Sequence, residues 1–134
     1  MNEERVIVIT GGSTGLGSEL AKHFVSKGFR LVLNYFFDED LKQLYKNSSE
    51  LANVDKVFAV QADVSKREQV KGMFDGAIDK FGRVDILMNF AGINRDAPFS
   101  EITDEMWDSV IAAHLKGHFI CGQEYVAHNP DREG

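Results

Sequence analysis

The run Arg5-Val6-Ile7-Val8-Ile9-Thr10 leads without a break into Gly11-Gly12-Ser13-Thr14-Gly15-Leu16-Gly17, and few folds accommodate such a stretch. An apolar strand that ends in spaced glycines and opens into a helix brings backbone N–H groups up to a pyrophosphate. Each glycine has a task in that arrangement. Gly11 allows the tight turn off the strand, Gly15 lets the backbone approach phosphates with no Cβ in the way, and Gly17 lets the helix pack closely on the sheet. Glycines spaced like this also occur in plain loops, so the flanks decide. The strand before them is apolar, and the helix after them carries Leu16, Leu20, Ala21, Phe24 and Val25 on one stripe before Gly28 stops it. A second strand over 30–34 follows at once and completes a βαβ unit.

The rest of the chain keeps the alternation. Residues 38–51 read as a polar helix with Leu41, Leu44 and Tyr45 on one side, weakened at its end by Asn47-Ser48-Ser49. Residues 56–61 read as a third strand. Ser65 and Glu68 have the spacing of a capping box, and Val70, Met73, Phe74, Ala77, Ile78 and Phe81 then trace a helix ending at Gly82. Residues 84–90 give a fourth strand, apolar but for Asp85 and Asn89. Thr103, followed by Asp104 and Glu105, caps a long last helix that Asn129-Pro130 stops. This order specifies an α/β fold, a Rossmann-type doubly wound parallel sheet of about four strands with helices on both faces. There are no repeats or linkers, and residues 1–134 read as one domain.

Composition narrows the partners. The formal net charge of −6, with no basic block to offset it, argues against nucleic acid. No apolar run approaches a membrane span, and the Met-Asn-Glu-Glu start has no signal-peptide character. A single cysteine, Cys121, excludes an internal disulfide and suggests a reducing cytoplasm.

The glycine spacing, Thr10-Gly11-x-x-x-Gly15-x-Gly17, resembles the cofactor signature of the short-chain dehydrogenase/reductase family. Three later motifs extend the resemblance over nearly the whole chain. Asp63-Val64 follows strand three, where the family's Asp hydrogen-bonds the adenine ring; read alone, Asp63 is equally a carboxylate at a helix entry. Asn89-Phe90-Ala91-Gly92 is similar to the family's Asn-Asn-Ala-Gly, with Phe90 in place of the second Asn and small residues beside the nicotinamide ribose. The run from Gly92-Ile93-x-Arg95-Asp96 through Phe99 to Trp107-Asp108-x-Val110-Ile111 resembles the 3-oxoacyl-carrier-protein reductases within the family. The resemblance therefore implies a nicotinamide dinucleotide held by Gly11, Ser13, Thr14, Gly15, Leu16, Gly17, Asn34, Asp63, Val64, Asn89, Ala91 and Gly92. It implies NADP(H), with NAD as the alternative. Strand two ends in the neutral Asn34-Tyr35 and Thr14 is not basic, while Asp38 lies nearer the usual acidic spacing but more readily begins a helix.

Two departures stand beside these matches. The family carries an Asn in its fourth helix that supports a proton relay, and the alignment through Trp107-Asp108 and Leu115-x-Gly117 places His114 there. The family also supplies a Ser on a fifth strand and a Tyr-x-x-x-Lys on a fifth helix, and the sequence stops at Gly134, just where that strand is expected. None of Tyr35, Tyr45 and Tyr125 has a Lys four residues on. A tyrosine donates a proton near neutral pH only when a neighbouring Lys lowers its pKa, and the Ser hydroxyl polarises the carbonyl. No catalytic residue is therefore expected within the chain, which should bind cofactor and a carbonyl substrate only with a catalytic half present. A non-catalytic dinucleotide-binding subunit and a truncated piece of an enzyme are the alternatives.

His114, His118 and Cys121 share one helical face at a spacing that suits zinc, but no fourth ligand is evident and no metal is expected. The same stripe, extended by Trp107, Val110, Ile111 and Tyr125, also reads as a packed face. Leu115, Phe119 and Val126 lie opposite it, and strand four is left as a sheet edge, so self-association into a homo-oligomer is expected.

Overall fold

A computed structural model describes residues 5–131; the leader reading of the first four residues and the chain end at Gly134 lie outside them. Four strands, β1 (Val6–Thr10), β2 (Arg30–Tyr35), β3 (Val57–Gln61) and β4 (Ile86–Asn89), form one parallel sheet in the order β3-β2-β1-β4. The helices are α1 (Gly15–Ser26), α2 (Asp38–Asn47), α3 (Arg67–Phe81), α4 (Asp104–Ile111) and α5 (Gly117–Ala127).

Strand alternation divides the core in two. Val6, Val8 and Val32 face a cluster built on Val70, Met73, Phe74 and Ala77 of α3 and Ile120 and Cys121 of α5. Ile7, Ile9, Leu31 and Leu33 face the opposite side, against Ala21 of α1, Leu44 of α2 and Leu51. A central parallel strand is covered on both faces, so β1 reads as an unbroken apolar run with every residue buried.

Boundaries shift where side-chain chemistry outweighs periodicity. The polar helix ends at Asn47 and a 3₁₀ turn, Ser49–Ala52, follows the Asn47-Ser48-Ser49 weakness. The Ser65–Glu68 capping box does not form. The Ser65 N–H and hydroxyl both donate to Asp63 Oδ1, at 2.9 and 2.7 Å, and α3 starts only at Arg67 with no side-chain cap. The nearer carboxylate takes the Ser65 N–H that Glu68 would have accepted, and turns the Ser65 hydroxyl into a donor where the box needs it as an acceptor. The α3 C-terminus does follow expectation, with Gly82 left-handed at φ 76°.

Strand β4 pairs only over Ile86–Asn89, shorter than the 84–90 run. Asp85, buried just before it, accepts the Val6 N–H through Oδ2 at 2.9 Å and pairs with Arg83 through Oδ1 at 2.7 Å. The last helix is capped as expected, the Met106 N–H donating to Thr103 Oγ1 at 3.1 Å. It is not uniform, because a π-helical turn, Ala112–Lys116, separates α4 from α5. Trp107 is 63% exposed and does not belong to a packed stripe, whereas Tyr125 reaches inward and donates to the Asp85 carbonyl at 2.8 Å.

Candidate functional site

The C-terminal ends of β2 and β4 flank the glycine loop that follows β1. Register places Thr10 opposite Asn89, and Thr10 Oγ1 accepts the N–H groups of Phe90 and Ala91 at 3.1 and 3.2 Å. A hydroxyl at the end of an apolar strand thus ties the β4 exit to the loop. Gly11 lies so close to that exit that a Cβ would stand 2.8 Å from Ala91 Cα and N, and its φ of 62° also favours glycine. On the other flank, the Gly11 N–H donates to Asn34 Oδ1 at 3.0 Å and the Gly12 N–H donates to the Asn34 carbonyl at 2.8 Å. Asn34 Nδ2 donates to the Ala62 carbonyl at 3.0 Å. One buried amide therefore joins the ends of β1, β2 and β3. The strand order changes direction between β1 and β4, and open α/β sheets form their crevices at such a point.

The later glycines differ in what surrounds them. A Cβ on Gly17 would meet the Gly11 carbonyl oxygen at 2.3 Å, so its close approach is to the loop rather than to the sheet. A Cβ on Gly15 would meet nothing within 4 Å, although its φ is 53°. Gly15 is thus a left-handed position facing open space. Thr14 and Leu16 beside it are exposed, while Ser13 is buried. The α1 N-terminus above them has neither a side-chain cap nor an acidic residue in its first turn. By contrast, α2 begins with Asp38, Glu39 and Asp40, and α4 with Asp104 and Glu105. Those chains of N–H groups are complemented from within, and that of α1 is not. An open glycine beneath an uncomplemented helix N-terminus fits a phosphate.

Other expected site residues divide between scaffold and surface. Asp63 is half-buried and engaged at the entry to α3, its N–H donating to Gln69 Oε1 at 2.8 Å while Oδ1 holds Ser65. The Val64 side chain is core, close enough to α5 that a Cβ on Gly117 would stand 2.7 Å from Val64 Cγ2. Asn89 Oδ1 is buried and has no hydrogen-bond partner among the described residues. Ala91 is half-buried and Gly92 exposed, the latter under the His114 ring. Sequence reasoning passed over two clamps, Thr10 Oγ1 and Asp85 Oδ2. The signal for both is a polar side chain at one end of an apolar strand, Thr10 closing β1 and Asp85 just before β4.

The His114, His118 and Cys121 face does not assemble into a ligand set, and no metal-suited group of three His, Cys, Asp or Glu occurs among the described residues. His114 is directed to Ile93, while the Cys121 thiol is buried. Burial, with the Glu124 charge second, pushes that thiol up to about 12. No helix among the described residues is long and apolar enough to cross a membrane.

The parallel sheet, two-sided core and glycine loop at the switch point define a Rossmann-like α/β protein. Comparison with known sequences narrows this class. The chain belongs to the short chain dehydrogenase family, whose sequence model matches residues 5–134. It is 39% identical over 129 residues to 3beta-hydroxysteroid dehydrogenase 1 of Eggerthella lenta, covering 96% of this chain and 49% of that protein. It is 34% identical over 117 residues to a 3-oxoacyl-[acyl-carrier-protein] reductase of Staphylococcus epidermidis, covering 87% of this chain and 48% of that one. A short chain dehydrogenase from Bacillus anthracis superposes with a TM-score of 0.86 at 32% identity, over 96% of this chain and 54% of that structure. The chain spans about half the length of these curated relatives.

Proposed function

We propose that residues 1–134 form the nicotinamide-dinucleotide-binding portion of an oxidoreductase that interconverts a carbonyl and an alcohol. The observation that carries this reading is the open, left-handed Gly15 beneath the uncomplemented N-terminus of α1. The Gly11, Ser13, Thr14, Gly15, Leu16 and Gly17 backbone would hold the diphosphate. Asp63 would meet the adenine ring through the part of its carboxylate that Ser65 does not use. Asn89, Ala91 and Gly92 would border the nicotinamide ribose, with Asn89 Oδ1, which has no partner among the described residues, as an acceptor. Asn34 and Val64 would act from behind, through the loop amide and the core they occupy. A bound nicotinamide supplies or accepts hydride, and the chain's own residues orient it.

The substrate class we favour is a ketone or 3-oxoacyl thioester with NADP(H), on the resemblance to carrier-protein reductases and the match to one of them. A second reading, NAD(H), draws on a specific feature. The end of β2 carries no basic side chain, and the first turn of α2 just beyond it holds three carboxylates, which would repel a 2′-phosphate. Titrating the chain with NADPH and with NADH in parallel by calorimetry separates the two.

The test of the site itself is Gly15→Val. The side chain has room in the protein, so folding should persist with a modest strain cost of about 1–3 kcal/mol. Dinucleotide binding should nevertheless be lost, and unchanged affinity would remove the glycine loop from this account. Residues 1–134 supply a place for the dinucleotide and no Tyr-x-x-x-Lys. By themselves they should show no sustained NADPH oxidation with a 3-oxoacyl thioester, because positioned acid catalysis is worth about 10²–10⁴ in rate. Turnover that disappears in His114→Ala would instead make His114 the acid. We further propose that this region associates with a second copy of itself through the last helix.

A further inference from the structure

The π turn Ala112–Lys116 lifts His114 out of regular helical register and sets its ring over the exit of β4. The contact is close. A Cβ on Gly92 would stand 2.1 Å from His114 Cε1 and 2.7 Å from both ring nitrogens, so only glycine leaves the imidazole its place. His114 Nε2 lies 3.0 Å from the Ile93 N and 2.8 Å from the Ile93 O. In one tautomer Nε2 accepts the Ile93 N–H, and in the other it donates to the Ile93 carbonyl. Either way the ring holds a peptide in a stretch that has no helix or strand of its own between Asn89 and the 3₁₀ turn Phe99–Glu101. The other end of that stretch is already fixed, since Thr10 Oγ1 holds the Phe90 and Ala91 N–H groups and Ala91 lies against Gly11. The backbone from Phe90 to Ile93 is thus pinned at both ends, by a strand hydroxyl on one side and an imidazole on the other.

We propose that His114 is a positioning residue for the dinucleotide site, holding the Asn89-Phe90-Ala91-Gly92 segment against the glycine loop through the Ile93 peptide. This inference rests on the dinucleotide reading given above. It assigns His114 no contact with reacting atoms. The ring acts through the backbone, and its fit depends on Gly92.

The experiment measures NADPH affinity by fluorescence titration, together with hydrogen exchange at the Ile93 amide in the free chain. His114→Ala should speed Ile93 exchange and weaken NADPH binding about tenfold, on the order of one lost hydrogen bond. His114→Asn, whose amide carries both a donor and an acceptor, should restore most of both. Gly92→Ala should mimic His114→Ala by displacing the ring, and should add nothing once His114 is already Ala. That non-additivity is a signature a general loss of stability would not produce. Unchanged Ile93 exchange in His114→Ala overturns the tether, and unchanged NADPH affinity overturns the positioning role. A Gly92→Ala effect that persists in the His114→Ala background also overturns it, and this comparison keeps its force if His114→Ala is poorly folded, through the matching pair in His114→Asn. A wild-type chain that folds with a protected Ile93 amide yet binds neither NADPH nor NADH overturns the dinucleotide reading instead.

Discussion

The two flanks of β1 are covered to very different degrees. Toward β2, Leu31, Val32 and Leu33 are fully buried, and Asn34 spends its side chain on the neighbouring strand ends. Toward β4, all four strand residues are only half-buried, and β4, directly beside β1, is already one of the two sheet edges among the described residues, whereas β2 is covered in turn by β3. Asn89 Oδ1 there is buried with no hydrogen-bond partner among the described residues. The last helix exposes Leu115 at 68%, Phe119 at 56% and Val126 at 56%. The same alternation of strand and helix built both flanks, so the contrast is not one of fold type. It shows where the chain satisfies its own surface and where it presents apolar area to something else.

The largest effect should come from breaking the self-satisfied flank. A methyl group at Gly17 points at the Gly11 carbonyl from 2.3 Å, and no side-chain rotation relieves a clash with backbone. Gly17→Ala should therefore cost about 3 kcal/mol, near the upper end for overpacking, and abolish dinucleotide binding with it. Urea unfolding checks the first, and a midpoint shift too small to resolve would mean that the loop is looser than the geometry indicates. Paired with Gly15→Val, it separates a glycine needed by the protein from one needed by the ligand.

The opposite flank should respond through association rather than folding. If a second copy covers the last helix, light scattering at micromolar concentration should report a dimer or larger. Phe119→Glu should shift it toward monomer, because a buried unpaired carboxylate at an interface costs several kcal/mol. Phe119 is 56% exposed and carries the Arg67 guanidinium over its ring at 5.8 Å, so the fold should tolerate the change. A clean monomer in the unsubstituted chain would contradict the proposed partner.

The same contrast explains what was legible in the sequence. Strand β1, the glycine loop and α1 could be read closely because periodicity and backbone chemistry point the same way there. The α3 stripe is equally clear, but its start is not, since Asp63 accepts the Ser65 N–H that Glu68 would take in a capping box. Gly17 reads as packing on the sheet although its neighbour is the loop, a distance that spacing does not encode. The π turn that aims His114 at Ile93 is not legible, because the stripe from Trp107 to Tyr125 reads as one unbroken α-helix and the turn carries no residue type that marks it. Trp107 reads as packed because a large aromatic on a stripe ordinarily is, yet it stands 63% exposed.

The smallest effect concerns how firmly α5 is held to the sheet, and Cys121 reports it. Its side chain is fully buried among α3, α5 and the sheet, and burial first, then the Glu124 charge, raises its thiol from 9.0 to about 12. A folded-state pKa raised above the unfolded value means that the unfolded chain loses this proton first as the solution becomes alkaline. The thiol's contribution is thus fully present below about pH 9 and is lost as pH rises toward about 12. Within that window one proton is linked to unfolding, a slope of about 1.4 kcal/mol per pH unit. Cys121→Ala lacks the linkage and leaves a small cavity, so it should be about 1 kcal/mol less stable at neutral pH. Urea midpoints of the two proteins should then converge between pH 9 and 10.5. In the same window, folded wild type should react with a thiol reagent only at the rate of unfolding. Rapid labelling at pH 7 with the fold intact would show that α5 opens locally, making the β4 flank loosely docked as well as incompletely covered.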